Sequence, residues 1–489
     1  MSDVSKNPDR AAPPQAHTPA ESEAEPVGHT NTSLPDSARE DALVEAGEDA
    51  VRLTRELIRR DSTNHGKGEG DERAAAEFIA EALGTTGLSP VVLESADRRA
   101  NVVVRIPGTD PDADALLVHG HLDVVPADPH DWTFPPFAGE IADCPVTGVP
   151  SLWGRGAVDM KNTIGMVTAV VRHWSELGLR PRRDIVLAFV ADEEDSAAYG
   201  ADYLVRGHAD LFEGCTVAIG EGGGHTVHAT TSSGAAARLY PIGSAERGSA
   251  WLTLRSHGTA GHGSRPPRDN AVGELAAAVA RIDQHRWPLH LTPVTRAAID
   301  SIAQALEIER GAGDTGTNEA VDALVARFGT AAPLVGPTVR NSAAPTMLSA
   351  GYKVNVVPGD ATAGVDGRVL PGGQDQFVET MNTLTGDRVE WEYAHSSPPV
   401  AAPVDSPAFD ALRAAILAHD PDGLVVPVCL GGGTDAKVFS RLGIDCYGFS
   451  PMRMPAGIDY PSLLHGVDER VPLEGLRFGV RVLDSFLRS

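Results

Sequence analysis

The side chains best suited to chemistry in this sequence stand just beyond three short aliphatic runs. Leu116, Leu117 and Val118 lead to His121 and Asp123; the run from Ile185 to Val190 leads to Asp192, Glu193 and Glu194; and Val217, Ala218 and Ile219 lead to Glu221. Brief aliphatic runs read as buried parallel strands, and open α/β sheets gather ligands outside the carboxyl ends of their strands. The pattern predicts one crevice lined by an imidazole and several carboxylates. His121 is the first candidate metal ligand, because Asp123, two residues on, is spaced to brace one ring nitrogen while the other binds a cation. His119 is expected to be structural.

Asp159 follows Gly154-Arg155-Gly156, where the backbone can turn tightly, and precedes a helix. Its two oxygens suit it to bridge two cations about 3.5 to 4 Å apart. Glu193 and Glu194 are adjacent, so their side chains diverge; one can bind metal while its neighbour moves protons as a general base. A donor set of nitrogen and oxygen without thiolate suits zinc, cobalt or manganese. Cys144, Cys215, Cys429 and Cys446 form no CxxC pair, which predicts reduced cysteines and neither a thiolate zinc site nor a disulfide framework. After a strand at 424–428, Gly431-Gly432-Gly433-Thr434-Asp435 could present backbone N–H groups to an anionic substrate group.

Helical periodicity places helices at about 41–57, 71–83 and 161–177, the last with Ile164, Val167, Val171 and Trp174 on one face. Strand and helix alternate through Glu221, the pattern of an α/β domain with a mixed, largely parallel sheet. Near Ser244 the pattern changes. Strands at 251–254, 352–357 and 389–393 and helices at 270–282 and 374–384 predict a smaller inserted α+β domain, and residues 291–345 receive no firm place. A helix at 408–418 and the strand at 424–428 return the chain to the first domain. The expected division is a disordered tail at 1–40, a catalytic domain from 41–243 and 397–489, and an insert at 244–396.

With 489 residues, 42% of them hydrophobic and 22% charged, the chain is long enough for two cores. A net charge of −26 argues against nucleic-acid partners, which require basic stripes. No run approaches the roughly 18 apolar residues of a membrane span. The first 40 residues, rich in Pro, Ala, Ser and Glu, lack the apolar core of a secretory peptide and predict a cytoplasmic protein.

These motifs together resemble the M20 metallopeptidase family, which includes carboxypeptidases, aminoacylases and succinyl-diaminopimelate desuccinylases. His119-Gly120-His121-Leu122-Asp123-Val124-Val125-Pro126, Gly154-Arg155-Gly156-Ala157-Val158-Asp159-Met160-Lys161, Ala191-Asp192-Glu193-Glu194 and the late His465 occur in family order. The resemblance implies one metal ion held by His121, Asp159 and Glu221 and a second by Asp159, Glu194 and His465. It makes Glu193 the base and Asp123 the partner of His121, and it implies a cis peptide at Asp159–Met160. Gly222 to Gly224 depart from the Glu-Pro that usually follows the ligand at Glu221. His262, in a glycine-rich loop of the insert, would stabilise an oxyanion, often across a homodimer, so that the insert serves as a lid and dimerisation domain. Asn355 and Arg368 would contact substrate, Arg368 as a bidentate carboxylate clamp, and Gly432, Gly433 and Thr434 would form a pocket wall.

The resemblance thus implies a dinuclear hydrolase, with zinc as the first expectation, that cleaves an amide bond in a small peptide or N-acyl amino acid bearing a free carboxylate. The rival reading is a noncatalytic peptide- or metal-binding protein on the same fold. The intact base at Glu193 weighs against it.

Overall fold

The computed structural model of the chain describes residues 36–311 and 313–489; most of the expected tail, through residue 35, lies outside the described residues. Strands β1 (Val91–Ala96), β2 (Arg99–Ile106), β3 (Ala115–His121), β4 (Ile185–Val190), β5 (Cys215–Gly220), β6 (Val227–Thr230) and β7 (Ala236–Glu246) come first. They enter a ten-stranded sheet. The chain then leaves that sheet through a single residue, Arg247, to form β8 (Gly248–His257), β9 (Ser342–Ala350), β10 (Asp360–Val369) and β11 (Glu390–Ser397) of a second sheet. It returns as β12 (Val400–Ala401), β13 (Gly423–Leu430) and β14 (Asp445–Gly448).

The large sheet runs β1-β2-β4-β3-β5-β14-β7-β12, with β6 and β13 also pairing to β7. It is mixed, and parallel at its centre, where β4, β3, β5 and β14 lie side by side. The aliphatic runs explain that placement. Leu116 and Val118 of β3 enter a core cluster with Leu53, Ile164 and Leu483, whereas Leu117 enters one with Val186, Leu204 and Phe439 on the opposite face. A strand flanked by apolar layers on both faces has no room for alternation with polar residues, and each such Leu or Val stabilises the fold by about 1.5–3 kcal/mol. Helices Asp36–Ile58, Lys161–Leu177 and Leu473–Leu487 cover the first of these faces. The middle one stops at Gly178 (φ +65), a left-handed cap that glycine adopts without penalty.

The second sheet is antiparallel, in the order β9-β10-β8-β11. Its burial alternates along β8 and β10, because helices Ala271–Gln284 and Gln374–Thr385 cover only one face. Trp251 and Tyr393 stand exposed.

Two segments differ from expectation. Residues 352–355 form a turn rather than part of a strand, leaving only the short piece Val356–Val357; the long strand lies earlier, at β9, in a sequence whose alanines and serines carry little strand signal. Helices Pro293–Ala305 and Asn318–Ala326, within the expected insert, pack instead on the large sheet: Ile299, Ile302 and Leu324 share a core with Leu239 of β7 and Val426 and Val428 of β13. All four cysteines are free. Among the described residues, no helix is long and apolar enough to cross a membrane.

Candidate metal centre

Because β3 lies between β4 and β5, in parallel with both, the three strands deliver their carboxyl ends to one place. His121 closes β3 opposite Val190, the last residue of β4, and Glu193, Glu194 and Glu221 follow within a few residues of their strands. Asp159 comes from the loop before helix Lys161–Leu177, and its peptide to Met160 is cis. His465 comes from the C-terminal region, just after helix Tyr460–Leu463.

These side chains meet. His121 Nε2 lies 3.0 Å from Asp159 Oδ1 and 3.6 Å from Glu221 Oε2. His465 Nε2 lies 3.3 Å from Asp159 Oδ2 and 3.0 Å from Glu194 Oε2. Asp159 therefore turns one oxygen to each imidazole. Ligand atoms of His121, Glu193 and Glu221 also fall within 4.8 Å of one another. The glycines after Glu221 leave its carboxylate in reach of His121, and they permit close packing: Gly222 has φ +94, and a Cβ there would stand 2.4 Å from Leu430 Cδ1.

The electrostatics are those of a site short of positive charge. Burial, then repulsion from Glu221, raises the Glu193 carboxyl well above its ordinary range. Burial likewise pushes Glu221 up to about 7. Hydrogen bonds to Asp159 and Glu194 raise His465 to about 10. For His121, burial opposes the charge, but Glu221 and Asp159 outweigh it and raise the ring well above its usual value. Glu194 Oε1 is buried without a hydrogen-bond partner. Two imidazoles, four carboxylates and an unsatisfied buried oxygen fit divalent cations that prefer nitrogen and oxygen donors.

The supports of this cluster were largely hidden in the sequence. Asp123 was expected to brace His121 with its carboxylate; instead Nδ1 of His121 donates to the Asp123 carbonyl at 2.9 Å, with the nearer carboxylate oxygen at 3.7 Å. The carboxylate itself accepts from the Glu193 and Glu194 amides at 3.2 and 3.1 Å, and so fixes the backbone that carries both acids. Asn64 Nδ2 joins Asp123 (2.9 Å) to Asp192 (3.1 Å), and buried Arg99 holds Asp192 (2.8 Å) and grips Glu72 with two bonds. Asp192 has left-handed backbone (φ +68), uncommon outside glycine, and these bonds pin it.

On the other side Glu469, fully buried, accepts from Arg155 Nη1 and from the amides of Gly156, Val158 and Asp159. Arg155 also donates to the carbonyl of His465. Asp435 and the stacked pair His225 and Tyr460 (ring centroids 3.9 Å apart) border the cluster too; Asp159 and Glu221 both act on the Tyr460 phenol. No spacing in the sequence marked Asn64, Arg99, Glu469, His225 or Tyr460.

Other candidates lie apart. His119 is buried against Phe439, and burial lowers its ring to about 3. His262 and Asn355 belong to one exposed patch: His262 pairs with Val356, its Nδ1 accepts from Ser264 Oγ at 2.9 Å, and Gly263 donates to the Asn355 carbonyl. Among the described residues, no hydrogen bond or ion pair joins either to the metal cluster. Arg368 spends its fork on Asp366, at 2.9 and 3.1 Å. Thr434 gives its amide and hydroxyl to Glu246, which fastens it to the crossing between sheets, whereas Gly432 and Gly433 are exposed.

Comparison with known proteins agrees with this geometry. N-fatty-acyl-amino acid synthase/hydrolase PM20D1 of Xenopus tropicalis is 29% identical over 395 residues, covering 77% of this chain and 72% of that protein. Probable carboxypeptidase S-like 2 of Dictyostelium discoideum is 28% identical over 383 residues, covering 77% and 72%. Among solved structures, the M20 family metallo-carboxypeptidase Sso-CP2 of Sulfolobus solfataricus superposes with a TM-score of 0.63 at 18% identity, over 90% of this chain and 98% of that one, a likeness of fold. Residues 117–489 match peptidase family M20/M25/M40 as a whole, and the chain belongs to that family of metal-dependent peptidases and amidohydrolases.

Proposed function

We propose that the protein is a dinuclear metal hydrolase cleaving an amide bond beside a free carboxylate, in a small peptide or an N-acyl amino acid. The observation that carries this reading is Asp159, with one oxygen facing His121 and the other facing His465. His121, Asp159 and Glu221 would hold one cation and Asp159, Glu194 and His465 the other, zinc being the first expectation and cobalt or manganese the alternatives. Such cations supply Lewis acidity to water and to the scissile carbonyl. Glu193 takes the proton from the attacking water and returns it to the departing amine. Its burial favours the protonated form that the second transfer requires. Both relatives' names concern compounds of this kind, N-fatty-acyl amino acids in one and carboxy-terminal peptide bonds in the other.

His262 completes an oxyanion site, either after the second sheet closes on the first or from a second copy of the chain in a homodimer. The test is turnover of a panel of dipeptides and N-acyl amino acids by chelated protein before and after addition of zinc, cobalt or manganese. Restoration by metal supports the proposal. Stoichiometric metal with no hydrolysis of any panel member would instead establish the noncatalytic reading.

A further inference from the structure

The Glu193 carboxylate makes no hydrogen bond and no ion pair within 4.0 Å among the described residues; only its amide is held, by Asp123 Oδ1 at 3.2 Å. Its neighbour Glu194 reaches His465 at 3.0 Å. A cation would fasten Glu194 further, whereas a base must keep its carboxylate free to take a proton. Where the Glu193 carboxylate stands is therefore set by its own backbone and by whatever holds that backbone.

The hold is concentrated on Asp192, the residue before. Its left-handed conformation (φ +68) costs a residue other than glycine roughly 1–2 kcal/mol. Oδ1 of its carboxylate accepts from Arg99 Nη2 (2.8 Å) and Asn64 Nδ2 (3.1 Å), and Oδ2 from Ser196 Oγ (2.9 Å) and the Tyr199 amide (3.3 Å). The sheet delivers Arg99 to this point. In the antiparallel pairing of β2 with β4, Val102 faces Phe189, and the same register carried outward sets Arg99 opposite Asp192. Arg99 is itself locked: it is 1% exposed, its Nε and Nη2 lie on Glu72 at 2.8 and 2.9 Å, and its guanidinium stands 4.9 Å from the centre of the Tyr199 ring.

Asn64 and Glu72 are the two ends of one glycine-rich segment, with His65-Gly66-Lys67-Gly68-Glu69-Gly70-Asp71 between them. His65, Lys67 and Glu69 face outward and are exposed. The glycines face inward: a Cβ at Gly68 would stand 2.9 Å from Tyr199 Oη, and one at Gly70 would stand 2.9 Å from Arg99 Cζ. The Lys67 amide donates to Asp195 at 3.2 Å. The segment thus lies as a strap on residues 192–199, the stretch that carries the base, and a side chain at 68 or 70 would lift it away.

We infer that Arg99 is the positioning residue of the base: through Asp192, and under the strap of residues 64–72, it sets where the Glu193 carboxylate stands. The inference rests on the functional reading above and adds to it a residue that touches neither metal ligand nor substrate.

The decisive variant is Arg99→Lys, which keeps the buried charge but loses the fork that spans Glu72 and Asp192. On an N-acyl amino acid or dipeptide that zinc-loaded wild type turns over, kcat is expected to fall about 10- to 100-fold, with KM and metal content unchanged. In a Glu193→Gln background the same substitution should change kcat by less than about 2-fold, because a positioning residue acts only through the group it positions. Full kcat in Arg99→Lys, or a further loss of about 10-fold in the Glu193→Gln background, would overturn the inference.

Crystal structures of zinc-loaded wild type and Arg99→Lys need no turnover. Expected is a Glu193 carboxylate displaced by about 0.5 Å or more, or split between positions, while the ligand atoms of His121, Asp159 and His465 superpose. That displacement supports the positioning role even if wild type hydrolyses nothing, in which case only the functional reading fails. An unmoved Glu193 overturns the inference in either case. Should Arg99→Lys not fold, Gly70→Ala takes its place in both experiments; its methyl presses on the Arg99 guanidinium, and the same loss of kcat, absent in the Glu193→Gln background, is expected.

Discussion

The metal cluster and the patch holding His262 and Asn355 are built in opposite ways. The first sits on the ends of parallel strands buried on both faces, with the turns carrying Asp159, Glu193 and Glu194 held by the buried carboxylates of Glu469 and Asp123. The second sits on exposed loops and a two-residue strand pairing, with Tyr352 and Val354 projecting almost wholly into solvent. Residues that must hold fixed charges at fixed spacing are carried by buried strand ends, while the residues proposed to meet the substrate late stand on exposed loops, where closure or a second copy would set their position.

Four variants break or sharpen this contrast. Glu193→Gln is expected to lower kcat by about 10²- to 10⁴-fold while elemental analysis still finds two metal ions per chain; turnover near wild type would remove Glu193 from its role. Glu469→Ala leaves Arg155 buried without its partner and should cost about 3–5 kcal/mol in chemical denaturation; a loss under about 1 kcal/mol would show that the loop bearing Asp159 holds itself.

His262→Ala should lower kcat by about 10²-fold with melting temperature and metal content unchanged, and displaced metal would place His262 in the rigid half after all. The smallest effect belongs to Asp366→Asn. Its pair with Arg368 is partly exposed, so stability should change by less than about 1 kcal/mol; a larger loss would mean that the second sheet is held together by that pair.

The same contrast governs what could be read in the sequence. Leu116 to His121, Ile185 to Glu194 and Val217 to Glu221 each carry strand and ligand in one local run, so both the sheet centre and the crevice were legible. Asn64 and Glu469 were not, because each acts on backbone amides fixed only by tertiary contact: Glu469 meets Val158 across 311 residues of chain. Local pattern also misplaced the strand near Tyr352, where Gly351 (φ +68) begins a turn despite the apolar and aromatic residues that follow. Arg368 suited a carboxylate by chemistry alone, and only the structure shows that Asp366, two positions earlier, already fills it.

The Glu469 carboxylate has a consequence for how the protein comes into being. With the bond from Arg155 to the His465 carbonyl, it ties the loop before Asp159 to the stretch bearing His465, and it lies four residues before helix Leu473–Leu487. Synthesis must therefore run 310 residues past Asp159 before the bridging aspartate is locked in place, and a nascent polypeptide stalled between the two lacks the carboxylate that fixes it.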